Sequence, residues 1–360
     1  MKTKRYRKTK WISGIMAVII ALGLFGYYNR TTLAMWSFDV FLSGQVKNKL
    51  EDSYKPLEGR EPQKVSYENK EPFSVLLLGV DQRDKEVGRS DTMIVSVVRP
   101  ADGAILMVSI PRDTYTEIVG KDKMDKITHA YAYGGAKMSI ETVEKLFATS
   151  INHYASINFT GFREVIDAMG GISLPIEQDI VNKEKDHEKF TIKANQPVYN
   201  GTDALNFVRY REDAGGDVSR AGRHQVFLNA MMDKASQVSQ WSSIPNYIGI
   251  MGDNFSTDMT PDMMIDLAKT MLQADGRTIY SHTLKGDGHR KEAGGTWYFF
   301  ADEEDVETTK QLITSWLDPS IAKGSLPLPS EYASKNKPVQ SLSASASTKR
   351  NAAAGISTNQ

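Results

Sequence analysis

Between Ala194 and Asp233 the chain has no lysine, yet it places Arg209, Arg211, Arg220 and Arg223 there. Over the whole sequence lysine outnumbers arginine 28 to 16, so this exchange is local. A guanidinium is a planar fork of donors that grips two phosphate oxygens at once, which an ammonium cannot do. Arg209 and Arg211 stand two residues apart at the end of an apolar stretch, and Arg220 and Arg223 stand three apart, on one helix face. Arg83, Arg89 and Arg112 flank apolar runs, at positions where strand ends deliver functional groups. Asp81 closes the first of those runs and Asp91 precedes the second. Two carboxylates beside several arginines suit a Mg²⁺ ion bridging a diphosphate. The same spacing also suits ordinary ion pairs, with Glu212, Asp213 and Asp217 close by, and acids that cap turns.

These residues need a scaffold. Phe73–Val80, Met93–Val98 and Ala104–Ile110 are continuous apolar runs, as expected of strands buried on both faces. Pro100-Ala101-Asp102-Gly103 makes the turn between the last two. Lys137–Ala148 and Thr160–Met169 have helical spacing, and Gly170-Gly171 ends the second. A short strand is expected at Ile172–Ile176, a helix capped by Thr202, and a longer helix over Val218–Gln237. Thr260-Pro261-Asp262 opens a helix reaching about Gln273. Alternating buried strands and helices predict a layered α/β domain over 72–318. Residues 29–71 read as a stalk holding at most one short helix, and 319–360 as a disordered polar tail.

Composition excludes several chemistries. The absence of cysteine rules out disulfides, thiolate metal sites and a cysteine nucleophile. Net charge is zero, which argues against nucleic acid as a partner. No P-loop, nucleophile elbow or H-E-x-x-H helix occurs, and the six histidines lack metal spacing. Residues 1–10 carry six basic side chains and no acid, and Trp11–Tyr28 run 18 residues without a charge. Such a helix spans about 27 Å, close to the hydrocarbon core. The basic flank predicts a single-pass anchor in the cell membrane, with a cytoplasmic N-terminus (1–10) and an extracellular domain. A cleaved signal peptide is the rival, but Thr32-Leu33-Ala34 is a poor cleavage site.

Eight segments, in order, resemble the signatures of the LytR-CpsA-Psr family. They are Leu78–Arg83, Arg89–Thr92, Ser109–Asp113, Ala130–Gly135, Asp167–Ile172, Asn200–Leu205, Val208–Arg211 and Asp217–Arg223. The resemblance implies a three-layer α-β-α fold whose central mixed sheet encloses a hydrophobic tunnel for a polyprenyl chain. It implies a pyrophosphate grip at Arg89, Arg112, Arg209, Arg211, Arg220 and Arg223, with Arg83 and His224 beside it. It also implies a Mg²⁺ site, or a Mn²⁺ site, at Asp81 and Asp91. Two departures stand out: His224 occupies a usual glutamine position, and Thr128 replaces an asparagine common before the Ala-Tyr-x-Tyr-Gly-Gly segment.

The activity implied is a glycopolymer–peptidoglycan phosphotransferase. A peptidoglycan hydroxyl attacks the phosphorus next to the glycan of a polyprenyl-pyrophosphate-linked donor, such as a teichoic acid or capsule precursor. Asp81, Asp91 and Arg112 are the expected catalytic groups, and Phe147, Phe159, Phe162, Met169, Phe207, Val226 and Met231 the expected tunnel candidates. A lipid-pyrophosphate hydrolase, a non-catalytic carrier and a transcription regulator are the alternatives.

Overall fold

A computed structural model describes residues 30–60, 69–81, 88–183, 189–210, 216–274 and 276–333. The anchor expected at Trp11–Tyr28 lies outside them. Among the described residues no helix is long and apolar enough to cross a membrane.

Two helices come first among the described residues, α1 (Arg30–Phe41) and α2 (Ser43–Leu50). Strands β1 (Phe73–Asp81), β2 (Arg89–Arg99) and β3 (Ala104–Ile110) follow, then the short pair β4 (Tyr115–Ile118) and β5 (Lys123–Lys126). Next come α3 (His129–Phe147), β6 (His153–Asn158), α4 (Phe159–Ala168), β7 (Ile180–Asn182) and β8 (Phe190–Ile192). Helices α5 (Gly201–Arg209), α6 (Gly216–Ala235) and α7 (Ile244–Met251) precede β9 (Phe255–Thr257), α8 (Pro261–Gln273) and β10 (Thr278–Thr283). The hairpin β11 (Gly286–Arg290) and β12 (Trp297–Ala301) leads to α9 (Glu303–Leu317).

Six strands form the central sheet in the order β10-β3-β2-β1-β6-β9. The β1–β6 and β3–β10 pairs are parallel and the others antiparallel, so the sheet is mixed. Alternate strand residues feed two cores, as the period of two requires. Leu76, Leu78, Met93, Val95, Leu106 and Val108 pack with Ile140, Phe147 and Trp316 of α3 and α9. Val75, Ile94, Ile105 and Met107 face the other way, toward Leu228, Met232 and Met271 of α6 and α8. Helices on both faces make three layers.

Several local expectations hold. Thr260 caps α8 by accepting from the Met263 amide, with Pro261 in the first turn. Gly170 and Gly171 end α4 at φ of 76° and 80°. Others change. The cap of α5 is Asn200, which accepts from the Asp203 amide at 2.8 Å, in place of Thr202. Ile172–Ile176 is no strand; only Ile172 bridges, to Tyr199. Helix α3 begins at His129, ahead of the expected Lys137, and breaks at Gly134-Gly135, where Gly135 takes φ of 64°.

The stalk also departs from expectation. Met35 and Phe38 of α1, with Val46 and Leu50 of α2, bury against Trp241, Ile248 and Ile265. Residues 319–333, expected to open a disordered tail, are fastened to the domain as well. The Arg99 guanidinium donates to the Ile321 carbonyl (2.7 Å), Trp316 Nε1 to the Pro327 carbonyl (2.8 Å), and the Tyr332 hydroxyl to Gln225 (2.8 Å).

Candidate functional site

At the end of the β1–β2 ladder, Gly79 pairs with Thr92 but Val80 pairs with Ser90 and Asp81 with Arg89. Asp91 is therefore the extra residue of a bulge, a device that re-aims a side chain beside a site. The Asp91 carboxylate turns to Arg112, whose Nη1 donates to its Oδ1 at 2.8 Å. Arg112 follows Pro111, just past β3, in a turn held by the Thr114 hydroxyl and amide on the Pro111 carbonyl (2.6 and 3.0 Å). Its Nε lies 3.6 Å from Asp113, which also accepts from Lys126 at 2.6 Å. Burial alone would lower the Arg112 pKa, but Asp91 and Asp113 outweigh it and hold the pKa above the usual arginine value. The guanidinium stays charged in a half-buried setting.

Thr128 joins the two strand ends. Its hydroxyl donates to the Ser90 carbonyl (2.8 Å) and its amide to the Arg112 carbonyl (3.1 Å). The position that departs from the family pattern thus fixes the backbone on either side of the Asp91–Arg112 pair.

A second group comes from α5 and α6. Helix α5 sits tightly on α4: a Cβ on Gly201 would fall 2.2 Å from the Arg163 carbonyl, and the Gly201 amide donates to Asp167 at 2.7 Å. Arg209 ends α5 with its guanidinium 4.4 Å from the Phe159 ring centre. Arg223 is buried; it donates to the Tyr210 carbonyl and lies 5.3 Å from the Tyr210 ring. His224 is buried too, with Nε2 3.1 Å from the Val208 carbonyl. Arg223 and His224 therefore hold the segment that carries Arg209. Arg89 is exposed at the start of β2. Arg83 and Arg211 lie outside the described residues; Arg220 lies on α6, and its side chain falls outside them too.

Beside Arg209 an apolar cavity of about 260 Å³ opens between the sheet and α4–α6. Of the residues expected to line it, Phe159 and Phe162 do. Phe147 instead fills the core on the opposite face. Phe207, Val226 and Met231 pack in the cluster around Ile166 and Tyr199, and Met169 is buried outside the cavity wall. The strand side of the wall includes Leu77, Gly79, Thr92 and Ile94, which the sequence does not mark as facing a cavity. Buried strands are apolar on both faces, so their pattern does not mark the one left open.

Arginines and carboxylates at strand and helix ends thus stand near an apolar cavity. The chain belongs to the LytR_cpsA_psr family, whose model matches residues 40–314. A Bacillus cereus relative named polyisoprenyl-teichoic acid–peptidoglycan teichoic acid transferase TagU is 36% identical over 300 residues, 81% of this chain and 92% of its own. The Bacillus licheniformis protein of that name is 32% identical, over 89% of this chain and 99% of its own. Among solved structures, Bacillus subtilis TagV superposes with a TM-score of 0.58 at 28% identity, covering 70% of this chain and 99% of its own. TagT bound to LI-WTA gives 0.57 at 26%, covering 73% and 99%.

Proposed function

We propose that this protein moves a glycopolymer from a polyprenyl-pyrophosphate carrier to a peptidoglycan hydroxyl, forming a phosphodiester. The observation that carries this reading is the apolar cavity with Arg209 at its wall, beside the β1–β2 strand ends that bear Asp81 and Asp91. The names of the Bacillus relatives and the structure of TagT bound to LI-WTA support it.

In this reading the carrier chain enters the cavity and the diphosphate meets Arg209 and Arg112. The acceptor oxygen bonds to the phosphorus next to the glycan, and the bond from that phosphorus to the bridging oxygen breaks. The hydroxyl proton passes to Asp81 or Asp91, and polyprenyl phosphate leaves. Charge spreads over the phosphoryl oxygens, and fixed guanidinium groups stabilise it without reorganising.

The donor set fits a hard divalent cation. Asp81 and Asp91 offer carboxylate oxygens at adjacent strand ends. Among the described residues no group of three or more His, Asp or Glu could hold a metal alone. Mg²⁺ commonly takes one or two carboxylates and completes its shell with phosphate oxygens and water. Mg²⁺ or Mn²⁺ held there would supply neutralisation of the diphosphate charge.

In this reading the domain lies outside the cell, anchored by Trp11–Tyr28. Helix α1 starts two residues beyond Tyr28 and exposes Trp36, Val40 and Phe41, at 62%, 55% and 64%. Such residues suit a membrane interface. Protease added to intact, wall-stripped cells should remove the domain and leave a small N-terminal fragment; protection of the whole chain would contradict this topology. Mass analysis of lipid copurifying with the full chain in mild detergent tests the donor. A polyprenyl phosphate or pyrophosphate is expected, and ordinary phospholipid alone would count against it.

A further inference from the structure

Arg112 stands between two carboxylates at unequal distances. Its Nη1 donates to Asp91 at 2.8 Å, whereas its Nε is 3.6 Å from Asp113 Oδ2, beyond hydrogen-bond range. The Arg112 and Asp113 side chains are 30% and 17% exposed, so water and salt screen their attraction only in part. A carboxylate left to itself beside a guanidinium closes on it and accepts from two N–H groups at once. The wide spacing therefore needs a cause.

Lys126, at the end of β5, supplies it. In the β4–β5 pair Tyr115 lies opposite Lys126. Beyond that pair the two backbones stay laced, through the Ile127 amide on the Thr114 carbonyl (2.8 Å) and the Thr128 amide on the Arg112 carbonyl (3.1 Å). Asp113, two residues before Tyr115, is thereby a diagonal neighbour of Lys126. Lys126 Nζ donates to Asp113 Oδ1 at 2.6 Å, against the 3.6 Å at which Arg112 stands. The Asp113 backbone is fixed as well, since its carbonyl accepts from the Phe299 amide at 2.9 Å. Lys126 is itself largely buried and lies 5.8 Å from the Tyr298 ring centre, so packing sets where its ammonium sits.

This arrangement decides which donors of Arg112 stay available. Nη1 serves Asp91, and Nη2 has no partner among the described residues. A guanidinium grips a carboxylate side-on through Nε and Nη2 together. A released Asp113 would therefore take the same Nη2 that an anionic head group needs, and would set a bare negative charge beside it. We infer that Lys126 is a positioning residue for the donor head group: by holding the Asp113 carboxylate, it keeps the Nη2 side of Arg112 open to a diphosphate. This inference rests on the reading above for the identity of the donor, and a binding measurement separates it from the transfer step.

The probes are geranylgeranyl pyrophosphate and geranylgeraniol, the same chain without a charged head, titrated calorimetrically into the full chain in mild detergent. Lys126→Met keeps a long side chain and removes the charge. It should weaken pyrophosphate binding about tenfold, the equivalent of about 1.4 kcal/mol, and leave binding of the alcohol as it was. Lys126→Arg should recover most of the loss. So should Lys126→Met combined with Asp113→Asn, in which no free carboxylate remains; a residue that only supports the fold would not be rescued in this way. In the transfer assay the loss should appear in the donor KM, with turnover at saturating donor retained, as for an interaction equal in ground and transition states. If Lys126→Met misfolds, Asp113→Asn alone decides: it should bind the pyrophosphate about threefold more tightly, and weaker binding would overturn the assignment. Wild-type affinity in Lys126→Met, an equal loss for the alcohol, or a loss that persists in the double variant overturns it as well. The expected binding pattern in a protein that transfers nothing would keep the role of Lys126 and reject the transfer reading.

Discussion

The two faces of the central sheet are built from the same strands and packed to different ends. Under α3 and α9, Leu106, Ile140, Phe147 and Trp316 are fully buried and fill the space. On the opposite face, near the same strand ends, Gly79, Thr92 and Ala155 border a cavity of about 260 Å³. Neighbouring positions of opposite parity, Leu78, Val80, Met93 and Tyr154, are large. An unfilled apolar space costs stability, because its walls lose contacts that a filled core would make. The cavity follows from small residues kept at one parity, as a binding slot requires. The filled face holds the fold, and the open face is the one proposed to take the ligand.

That contrast can be broken by truncation. Phe147→Ala on the filled face should lose about 3–5 kcal/mol of stability in urea unfolding. Phe227→Ala, whose ring stacks on Phe162 at 5.0 Å and already borders open space, should lose roughly 1–2 kcal/mol. Equal losses would mean that both faces are ordinary core.

At the polar end of the open face, Asp91→Asn removes the charge that meets Arg112 at 2.8 Å and one proposed metal ligand. The transfer rate should fall about 10²–10³-fold, or about 2.7–4 kcal/mol, with unfolding little changed. Filling the slot sharpens the comparison: Ala155→Phe should weaken donor-lipid binding about tenfold, near 1.4 kcal/mol, without a matching loss of stability. Unaltered lipid affinity would move the chain-binding site elsewhere.

The smallest effect belongs to a polar cluster at the edge of the filled face. Buried His282 lies 3.0 Å from Asp305 and 3.1 Å from Glu331, in the segment that follows α9. Burial pushes the imidazole pKa down, but Glu331 and Asp305 outweigh it and leave it raised. Its stabilising charge is therefore complete below the unfolded value near 6.5 and is lost as pH rises through the raised folded value. Burial likewise pushes Glu331 up, yet His282 and Lys285 help to hold it lowered, so its share is lost as pH falls through that lowered value. His282→Gln should cost about 1 kcal/mol near pH 6 and progressively less in alkaline solution, read from melting curves. A difference that does not change with pH would remove the charged pair from the account.

Much of this was legible where the signal is local. Strands β1–β3 announce themselves as continuous apolar runs, and Thr260-Pro261 marks the start of α8. Helix α1 did not, because it is apolar on both sides: Met35 and Phe38 face the domain while Trp36 and Phe41 face outward. Only tertiary contact with Trp241 and Ile248 shows which side is core. The chain after Leu317 is polar in composition, yet Leu326 and Tyr332 supply enough apolar contact to fasten residues 318–333. At the site, the strand-end positions of Asp91 and Arg112 could be read, though not their pairing. The holding roles of Arg223 and His224 could not, since a guanidinium or imidazole suits a carbonyl as well as a phosphate.

The most direct measurement is transfer itself. The purified full chain would be given a labelled glycan on polyprenyl pyrophosphate and peptidoglycan oligomers, with and without EDTA. A phosphodiester-linked product is expected, with polyprenyl phosphate released in equal amount, and both should vanish in EDTA and in the Asp81→Asn, Asp91→Asn double variant. Donor that binds but is never transferred, across several donor glycans, would contradict the enzyme and favour a carrier. Undiminished transfer by the double variant would contradict the roles given to the two aspartates.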